Sequence, residues 1–370
     1  MLNIWTILIW ITVVALVYML NGRYQYVTVN GYREKRYGKF AAAVMVLPII
    51  YWAGTRGDVA DTSAYREGFL AASSSLASIP QVIAGDGQDK GFSVLNIVLK
   101  AIIGNKDVIY FLIIAALCVL CVTYTYQKYS YSFAWSIFLF VVSTDVYQWL
   151  FNGMRQFIPA AVLFACMGLI IKKKYIPLII IILLASTVHL SALLMLPCIF
   201  IVQGKPWNKK TLLFLAAVVL AILFVDRFTD VLETLLANTQ YDDVVQQFAY
   251  DDGTNLLRVL VYSVPPVLTL IGRKQIEKID SPIINLSINM SIISMGIYIV
   301  SMFTSGIYIG RLPIYFSLYN YILLPWELDN IFTKRSAILL KITMIGFYVA
   351  YCYYQMIISW GYTWYEDLSN

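Results

Sequence analysis

The sequence predicts an all-α, polytopic integral membrane protein, and three observations lead to this fold class. Hydrophobic residues make up 60% of the 370 residues, charged residues only 13%, and the mean hydropathy is +0.72. Such a chain has more apolar side chains than the core of a soluble protein can bury and fewer charged side chains than the surface of a soluble protein needs. Twelve apolar stretches follow one another, and basic residues concentrate in alternate connections between them. We therefore expect a single membrane domain over residues 1–370.

Each apolar stretch predicts a helix that crosses or enters the bilayer, because unpaired backbone groups are costly in lipid. This gives about twelve transmembrane or re-entrant helices, at residues 4–20, 40–52, 108–124, 132–142, 157–171, 176–187, 190–202, 211–225, 256–271, 283–302, 312–325 and 338–360. Several stretches are shorter than the ~20 residues that a straight span needs. The segments near 143–156 and 176–202 therefore either span fully or are re-entrant. The first stretch lacks a basic n-region and a small-residue cleavage site, so we expect a retained span rather than a signal peptide.

The distribution of charge predicts the orientation of the chain. Connections on one side contain 18 of the 27 basic and 5 of the 21 acidic residues, whereas the other side has 9 basic and 16 acidic residues. By the positive-inside rule the first side is cytoplasmic, and both termini are expected outside. The long extracytoplasmic parts are the segment 55–107 and the loop 226–257. The net charge of +6 follows from topology and gives no reason to expect nucleic acid as a partner.

The five cysteines all lie inside apolar stretches, where a small buried side chain is the expected role, so we expect no disulfide. Cys118 and Cys121 have the spacing of half a zinc site, but no second ligand pair completes it. The loop 226–257 contains two pairs of aspartates, Asp242 with Asp243 and Asp251 with Asp252. These pairs could form a divalent-metal site or belong to a solvated loop that contacts substrate, and we expect the second.

Three arginines abut apolar stretches on the outer side, namely Arg56, Arg155 and Arg311. Topology does not require them there, and an arginine at membrane depth costs free energy unless it pairs or faces a polar cavity. Each one could snorkel to lipid headgroups or belong to an anion site. Because the planar guanidinium matches phosphate oxygens, the three together favour a pyrophosphate at the outer membrane surface. Arg155 stands in the stretch NGMRQF, with Gln156 as a neighbouring donor.

Two acid–base candidates lie on the same outer side. His189, the only histidine, falls at an outward turn between two apolar limbs, and it is either structural or a proton acceptor, because imidazole titrates near neutral pH. Asp61 either caps a helix that begins at Thr62 or faces a substrate together with Tyr65, four residues later. Lys90 opens the run KGFSVLN in the same extracytoplasmic segment.

Five segments occur in order over nearly the whole chain: TRGDVADTSAYREGF, KGFSVLN, FNGMRQFIPAA, STVHLSALLMLP and GRLPIYFSLYNYILLP. In this order they resemble the EpsG family of bacterial exopolysaccharide proteins, which belongs to the broader Wzy type of repeat-unit polymerase. The resemblance implies a GT-C-like glycosyltransferase fold, similar to that of O-antigen ligases, in the bacterial cytoplasmic membrane. The polar signatures of the family fall on Arg56, Asp61, Tyr65, Arg155, Gln156, His189 and Arg311.

The resemblance also implies a reaction. Oligosaccharide repeat units carried on undecaprenyl diphosphate would be joined at the extracytoplasmic face into exopolysaccharide, capsule or O-antigen. The hydroxyl of one unit would displace undecaprenyl diphosphate from another, with inversion at the anomeric carbon and with neither metal nor cofactor. The expected partners are the lipid-linked donor and acceptor and membrane lipids. A chain-length regulator and a flippase are candidate protein partners.

In this reaction Arg155 and Arg311 are expected to clamp the leaving diphosphate, and His189 or Asp61 to accept the hydroxyl proton. Further substrate contacts are expected from Arg56, Tyr65, Lys90, Gln156 and Tyr315. Two other classes stay open: a transporter or flippase of lipid-linked oligosaccharide, and a membrane O-acyltransferase that acts on polysaccharide. A transporter should carry charges through the whole bilayer depth. An acyltransferase should draw its acyl donor from the cytoplasm, on the side opposite to the expected position of the histidine.

Overall fold

The computed structural model describes four parts of the chain: residues 2–21, 25–29, 32–236 and 252–361. Within them the chain is helical apart from one hairpin, in which strand β1 (Gln25–Val29) pairs antiparallel with strand β2 (Tyr32–Arg36). The prediction of a helical, membrane-embedded protein is confirmed, and the hairpin is an addition to it. It falls in the connection after the first apolar stretch, where the β-branched and aromatic residues of QYVTV favour a strand.

The described chain divides into two compact units. The first unit consists of Met1–Leu193 together with Phe332–Asn370, and the second of Leu194–Ile331. The first unit begins with eleven α-helices: α1 (Leu2–Asn21), α2 (Lys39–Gly54), α3 (Thr62–Ala71), α4 (Ile79–Ala84), α5 (Lys90–Ile103), α6 (Asp107–Tyr129), α7 (Phe133–Val142), α8 (Asp145–Tyr147), α9 (Met154–Ala165), α10 (Met167–Ile171) and α11 (Tyr175–Val188). Short 3₁₀ turns cover Leu76–Ser78 and Leu190–Leu194, and a π-turn covers Gln148–Asn152.

The described residues of the second unit form eight α-helices, of which α17 is the buried central one: α12 (Met195–Ile201), α13 (Lys209–Leu223), α14 (Val225–Leu236), α15 (Leu256–Ile271), α16 (Arg273–Ile279), α17 (Pro282–Met302), α18 (Ile314–Ser317) and α19 (Asn320–Asn330). A 3₁₀ turn covers Ile309–Arg311. Helix α17 packs against α13, α15 and α19. The core of this unit includes Ile288 and Ile292 of α17 together with Leu323 of α19. The chain then returns to the first unit with α20 (Lys334–Tyr353), which continues as the π-helical segment Tyr354–Ser359.

Close contacts between α2, α3 and α6 fix the part of the first unit that carries most of the predicted polar site residues. An added Cβ at Gly54 would lie 2.9 Å from the Cα of Leu112, so α2 approaches α6 closely because it has no side chain there. Arg66 of α3 donates through Nε to Asp107 at 2.7 Å and through Nη1 to Asp58. This double ion pair joins α3 to the start of α6 and to the loop before α3.

The length and apolar character of the described helices can be compared with the predicted number of transmembrane or re-entrant helices. Among the described helices, four are long and apolar enough to cross a membrane, and the number rises to seven if each of three bent helix pairs is one span. The predicted number of about twelve is therefore not confirmed. Four further apolar helices have only 10–17 residues, below the ~20 that a straight span needs: Lys39–Gly54, Met154–Ala165, Tyr175–Val188 and Leu190–Ile201.

Candidate functional site

The candidate site begins where the apolar helix α7 ends. The axes of helix α7 and of the segment Asp145–Asn152 form an angle of 70°, and Thr144 between them has a left-handed backbone with φ 72°. A Cβ at Gly153 would lie 2.8 Å from the Trp149 ring, so this close turn requires glycine. Arg155 follows in the first turn of α9, with 47% of its side chain exposed. The break thus ends the apolar helix before the arginine and leaves its guanidinium accessible.

A buried carboxylate, which was not predicted from the sequence, pairs with this arginine. Nη1 of Arg155 donates to Oδ2 of Asp89 at 3.1 Å, and the Asp89 side chain is only 5% exposed. Asp89 directly precedes α5 and has a left-handed backbone with φ 48°, which aspartate tolerates better than most residues. Its carbonyl accepts the N–H groups of Phe92 and Ser93. The start of α5 therefore fixes the position of Asp89, and the Asp89 carboxylate in turn fixes Nη1 of the Arg155 guanidinium.

The first turn of α3 lies against the same arginine. The phenol of Tyr65 lies close enough to Arg155 for the charge of the guanidinium to act on it. Burial raises the pKa of Tyr65, Arg155 opposes that rise and Asp61 adds to it. Tyr65 is therefore a neutral proton donor at neutral pH. Helix α3 starts at Thr62 after Asp61, as predicted, but the Asp61 carboxylate makes no capping hydrogen bond.

The Asp61 carboxylate faces Asn152 instead. In the amide orientation that satisfies both groups, the Asn152 nitrogen donates to the two carboxylate oxygens at 2.9 and 3.2 Å. Asp61 and Tyr65 are four residues apart and share one face of α3. This face lies against Asn152 and Arg155, which stand on either side of the Gly153 break. We call Asp61, Tyr65, Asp89, Asn152 and Arg155 the polar cluster.

His189 lies at the break between α11 and the following 3₁₀ turn, where the sequence predicts a turn. Its Nδ1 is 2.7 Å from Oγ of Ser191. Two residues before it, Thr187 packs so closely on Gly91 that a Cβ there would lie 2.8 Å from the Thr187 carbonyl carbon. Gly91 follows Asp89 by two residues. The start of α5 therefore joins the His189 turn to the polar cluster.

Arg56 is enclosed rather than accessible. Its guanidinium carbon lies 4.1 and 4.9 Å from the ring centroids of Phe111 and Phe151, and the residue is 6% exposed. It donates to the Leu150 carbonyl and, at 3.3 Å, to the sulfur of Met154. Burial lowers the pKa of Arg56 to about 10, so it remains a cation at neutral pH. These contacts support the turn that presents the polar cluster, and a role of Arg56 in substrate binding stays a prediction.

Lys90 and Gln156 are the next residues in the chain after Asp89 and Arg155. Nζ of Lys90 donates to the Ile83 carbonyl at 2.9 Å, at the carboxyl end of α4, where a cation is favourable. Gln156 is 5% exposed and sits in the first turn of α9. Their contacts with substrate stay predictions.

The two remaining predicted site residues, Arg311 and Tyr315, belong to the second unit. Arg311 ends a 3₁₀ turn and is partly exposed, whereas Tyr315 in α18 is 3% exposed. Ile309 and Leu312, which flank Arg311, belong to an apolar cluster with residues of α14. The roles of both residues in catalysis and binding stay predictions.

The described residues contain no group of three or more His, Cys, Asp or Glu side chains that could hold a metal ion. Of the paired aspartates, Asp242, Asp243 and Asp251 lie outside the described residues, and Asp252 is exposed. The interpretation of the 226–257 loop as a metal or substrate loop therefore stays open.

Comparison with known proteins places these residues in a family. A family model described as the EpsG family matches residues 39–368, which is most of the chain. The matched range includes the polar cluster, the His189 turn and the whole second unit. No curated protein and no solved structure matches the chain.

Proposed function

Because the chain belongs to the EpsG family, a Wzy-like polymerase family, we propose that it is a glycosyltransferase that polymerises a polysaccharide. The proposed substrates are oligosaccharide repeat units on undecaprenyl diphosphate, joined on a GT-C-like fold at the outer face of the bacterial cytoplasmic membrane. One observation carries the proposal: Arg155 is half exposed beside Tyr65 and Asp61, at the end of a broken apolar helix. A guanidinium in this position fits a diphosphate at the membrane surface.

The proposed reaction is a direct displacement. The oxygen of the acceptor hydroxyl forms a bond to the anomeric carbon of the donor as the bond from that carbon to the diphosphate oxygen breaks. The electron pair of the broken bond leaves with undecaprenyl diphosphate, and the anomeric configuration inverts. Because negative charge grows on the leaving group, Arg155 stabilises the transition state more than the ground state. Tyr65, which stays protonated, donates a hydrogen bond to the same group. Arginine supplies the stabilisation that a metal ion gives in other transferases, so the proposed reaction is independent of metal.

The hydroxyl proton passes to a base, for which Asp61 and His189 are the candidates. Asp61 belongs to the polar cluster itself, and Asn152 holds both of its oxygens. His189 is connected to the cluster through Thr187 and Gly91, and Ser191 orients its ring. The direct position of Asp61 favours it as the base, with His189 in contact with the acceptor sugar.

The remaining predicted residues keep supporting roles in the proposal. Lys90 and Gln156 contact the sugars next to the diphosphate. For the second unit, clamping of a diphosphate by Arg311 and contact of Tyr315 with substrate stay predictions. Arg56 stabilises the turn before α9 and so acts on the polar cluster indirectly. The charge distribution supports an extracytoplasmic site with both termini outside.

The test is polymerisation by purified protein in liposomes that contain lipid-linked repeat units and excess EDTA. Arg155→Lys keeps the charge but loses the forked geometry, so we expect turnover to fall about 10²-fold or more. The matched control is Arg227→Lys, because the Arg227 side chain is 85% exposed and its ion-pair partner Asp230 is 65% exposed. Normal turnover of Arg155→Lys would contradict the clamp. Loss of activity in EDTA with recovery in magnesium would move the leaving-group role to a metal.

The glycan products that accumulate in cells that lack the protein distinguish a polymerase from a flippase and from an acyltransferase. A polymerase defect leaves single lipid-linked repeats at the outer face of the membrane, and a flippase defect leaves them at the inner face. An acyltransferase defect leaves full-length polymer without acyl groups. We expect the first result.

A further inference from the structure

An open cleft lies in the segment 55–107 of the first unit. Helices α3, α4 and α5, with the turn after α3, line a volume of about 460 Å³, within the ~300–1,000 Å³ that ligand sites usually have. Small and uncharged polar side chains dominate its wall, and no charged residue of the described chain lines it. Its main lining residues are Gly68, Ala72, Ser73, Gln81, Ser93 and Asn96.

The cleft lies further along the two helices that begin at the polar cluster, α3 after Asp61 and α5 after Asp89. On α3, Gly68 and Ala72 stand seven and eleven residues after Asp61, a spacing that keeps them on the same helix face. On α5, the lining residue Asn96 stands seven residues after Asp89. At 1.5 Å per residue, seven residues correspond to about 10 Å along each helix axis. A ligand whose diphosphate contacts the polar cluster can therefore extend its next groups into the cleft.

The wall of the cleft carries fixed hydrogen-bonding groups. Asn96 is 6% exposed, and its Oδ1 accepts a hydrogen bond from the Tyr110 hydroxyl at 2.9 Å. Tyr110 itself stacks on Phe69 of α3 at a centroid distance of 4.2 Å, so the Asn96 amide is held in place. In the part of the chain that the structure describes, the Asn96 nitrogen and the side chains of Ser93 and Gln81 make no hydrogen bond. These groups are available to a ligand.

We propose that this cleft binds uncharged sugar residues of the repeat unit, next to the diphosphate on the polar cluster. Amide and hydroxyl groups are suitable partners for sugar hydroxyls, because each can donate and accept. An anionic sugar would find no cationic partner in this wall, because no charged side chain of the described chain lines it, so neutral sugars are the expected ligands. The gaps at Gly68 and Ala72 leave room for a sugar ring. This inference rests on the proposed polymerase function and adds the position and the class of the sugar site.

The cleft can be filled without distorting the fold. A Cβ added at Gly68 meets no atom within 4 Å, so Gly68→Trp places a large side chain in the cleft and leaves the helix backbone in place. Gly87→Trp is the matched control, because Gly87 also has no neighbour within 4 Å and lies in the same segment outside the cleft. Ser93→Ala is a second variant that removes one hydrogen-bonding group and no volume of the wall.

Two measurements test the cleft. The first is saturation-transfer NMR with the neutral repeat-unit glycan released from its lipid: wild type and Gly87→Trp should give a signal, and Gly68→Trp should not. The second is polymerisation kinetics, in which Gly68→Trp should raise KM for the lipid-linked unit about tenfold or more and Ser93→Ala should raise it less. Inhibition by inorganic pyrophosphate should not change, because the polar cluster is intact.

The outcomes separate this inference from the proposed function. If wild-type protein polymerises and Gly68→Trp has the KM and the NMR signal of wild type, the sugar site is not in this cleft. If wild-type protein binds the glycan but forms no polymer, the cleft stands and the polymerase assignment is wrong. Equal binding of an anionic glycan would contradict the inferred selection for neutral sugars.

Discussion

Replacing Asp89 by asparagine removes one negative charge from the polar cluster and keeps the shape of the side chain. The Asp89 carboxylate lies 3.1 Å from Nη1 of Arg155 and is 5% exposed, and an amide oxygen can still accept that hydrogen bond. A diphosphate on Arg155 would lie next to the carboxylate and be repelled by it. We therefore expect Asp89→Asn to tighten the binding of inorganic pyrophosphate and, at the same time, to slow polymerisation.

The expected size of both effects follows from the geometry. Two like unit charges on opposite sides of a guanidinium, about 6 Å apart, repel by about 3 kcal/mol at an effective dielectric of 20 and by about 0.7 kcal/mol in water. Because Arg155 is half exposed, the repulsion lies near the lower value, which corresponds to about three- to tenfold tighter pyrophosphate binding. A hydrogen bond to a charged group contributes about 1.5–3 kcal/mol. A weaker bond orients Arg155 less well, so turnover should fall about tenfold.

The assay measures binding and turnover separately. Calorimetry gives the affinity of purified protein for inorganic pyrophosphate, and polymerisation in liposomes gives kcat. Asp86→Asn is the matched control, since Asp86 lies three residues earlier in the same turn, is exposed and undergoes the same change of charge. Melting temperatures of the variants check that each is folded. Weaker pyrophosphate binding by Asp89→Asn, or no change in either quantity, would refute the reasoning.

Four other predictions follow from the same contacts. Arg56→Lys should lose the aromatic stacking and both hydrogen bonds and lower the free energy of unfolding by about 2 kcal/mol, measured by thermal unfolding in detergent. Gly91→Val should clash with the backbone of α11 and lower the melting temperature, whereas Gly68→Val, which meets no neighbour, should not. Asp61→Asn should cost about 10²- to 10⁴-fold in turnover with lipid diphosphate binding nearly intact. If His189→Ala shows that loss instead, and the loss shrinks as pH rises, the histidine is the base. A C-terminal epitope tag should be accessible from outside intact spheroplasts, and labelling only after membrane disruption would overturn the orientation.

Local patterns in the sequence predicted the features that depend on local chemistry. Helix α3 begins at Thr62 directly after Asp61, as predicted, although the Asp61 carboxylate makes no capping hydrogen bond, and the spacing of Asp61 and Tyr65 places both on one face. Each predicted apolar stretch coincides with a helix in the structure, whereas α4, α5, α14 and α16 lie outside these stretches. Stretch length alone could not say which helices span, because short apolar helices such as α9 and α11, which pack on each other, have fewer residues than a straight span needs.

Contacts between distant segments could not be predicted in the same way. Asp89 stands in the turn GDGQDKG among other exposed polar residues, and nothing in that pattern distinguishes it from a solvated acid. Its buried position depends on Arg155, 66 residues later. Arg56 looked like Arg155, because both adjoin an apolar stretch. Only the packing of Phe111 and Phe151 around Arg56 makes it a buried support rather than an accessible cation.

In the proposed reaction, the ion pair between Arg155 and Asp89 also affects how each catalytic cycle ends. A clamp that holds diphosphate tightly enough to stabilise its departure would be inhibited by the lipid diphosphate that it has just produced. Asp89 keeps a negative charge beside the guanidinium while the diphosphate is bound, and this charge weakens the binding of the product. The proposed enzyme would therefore release its spent carrier lipid without a separate displacing ligand.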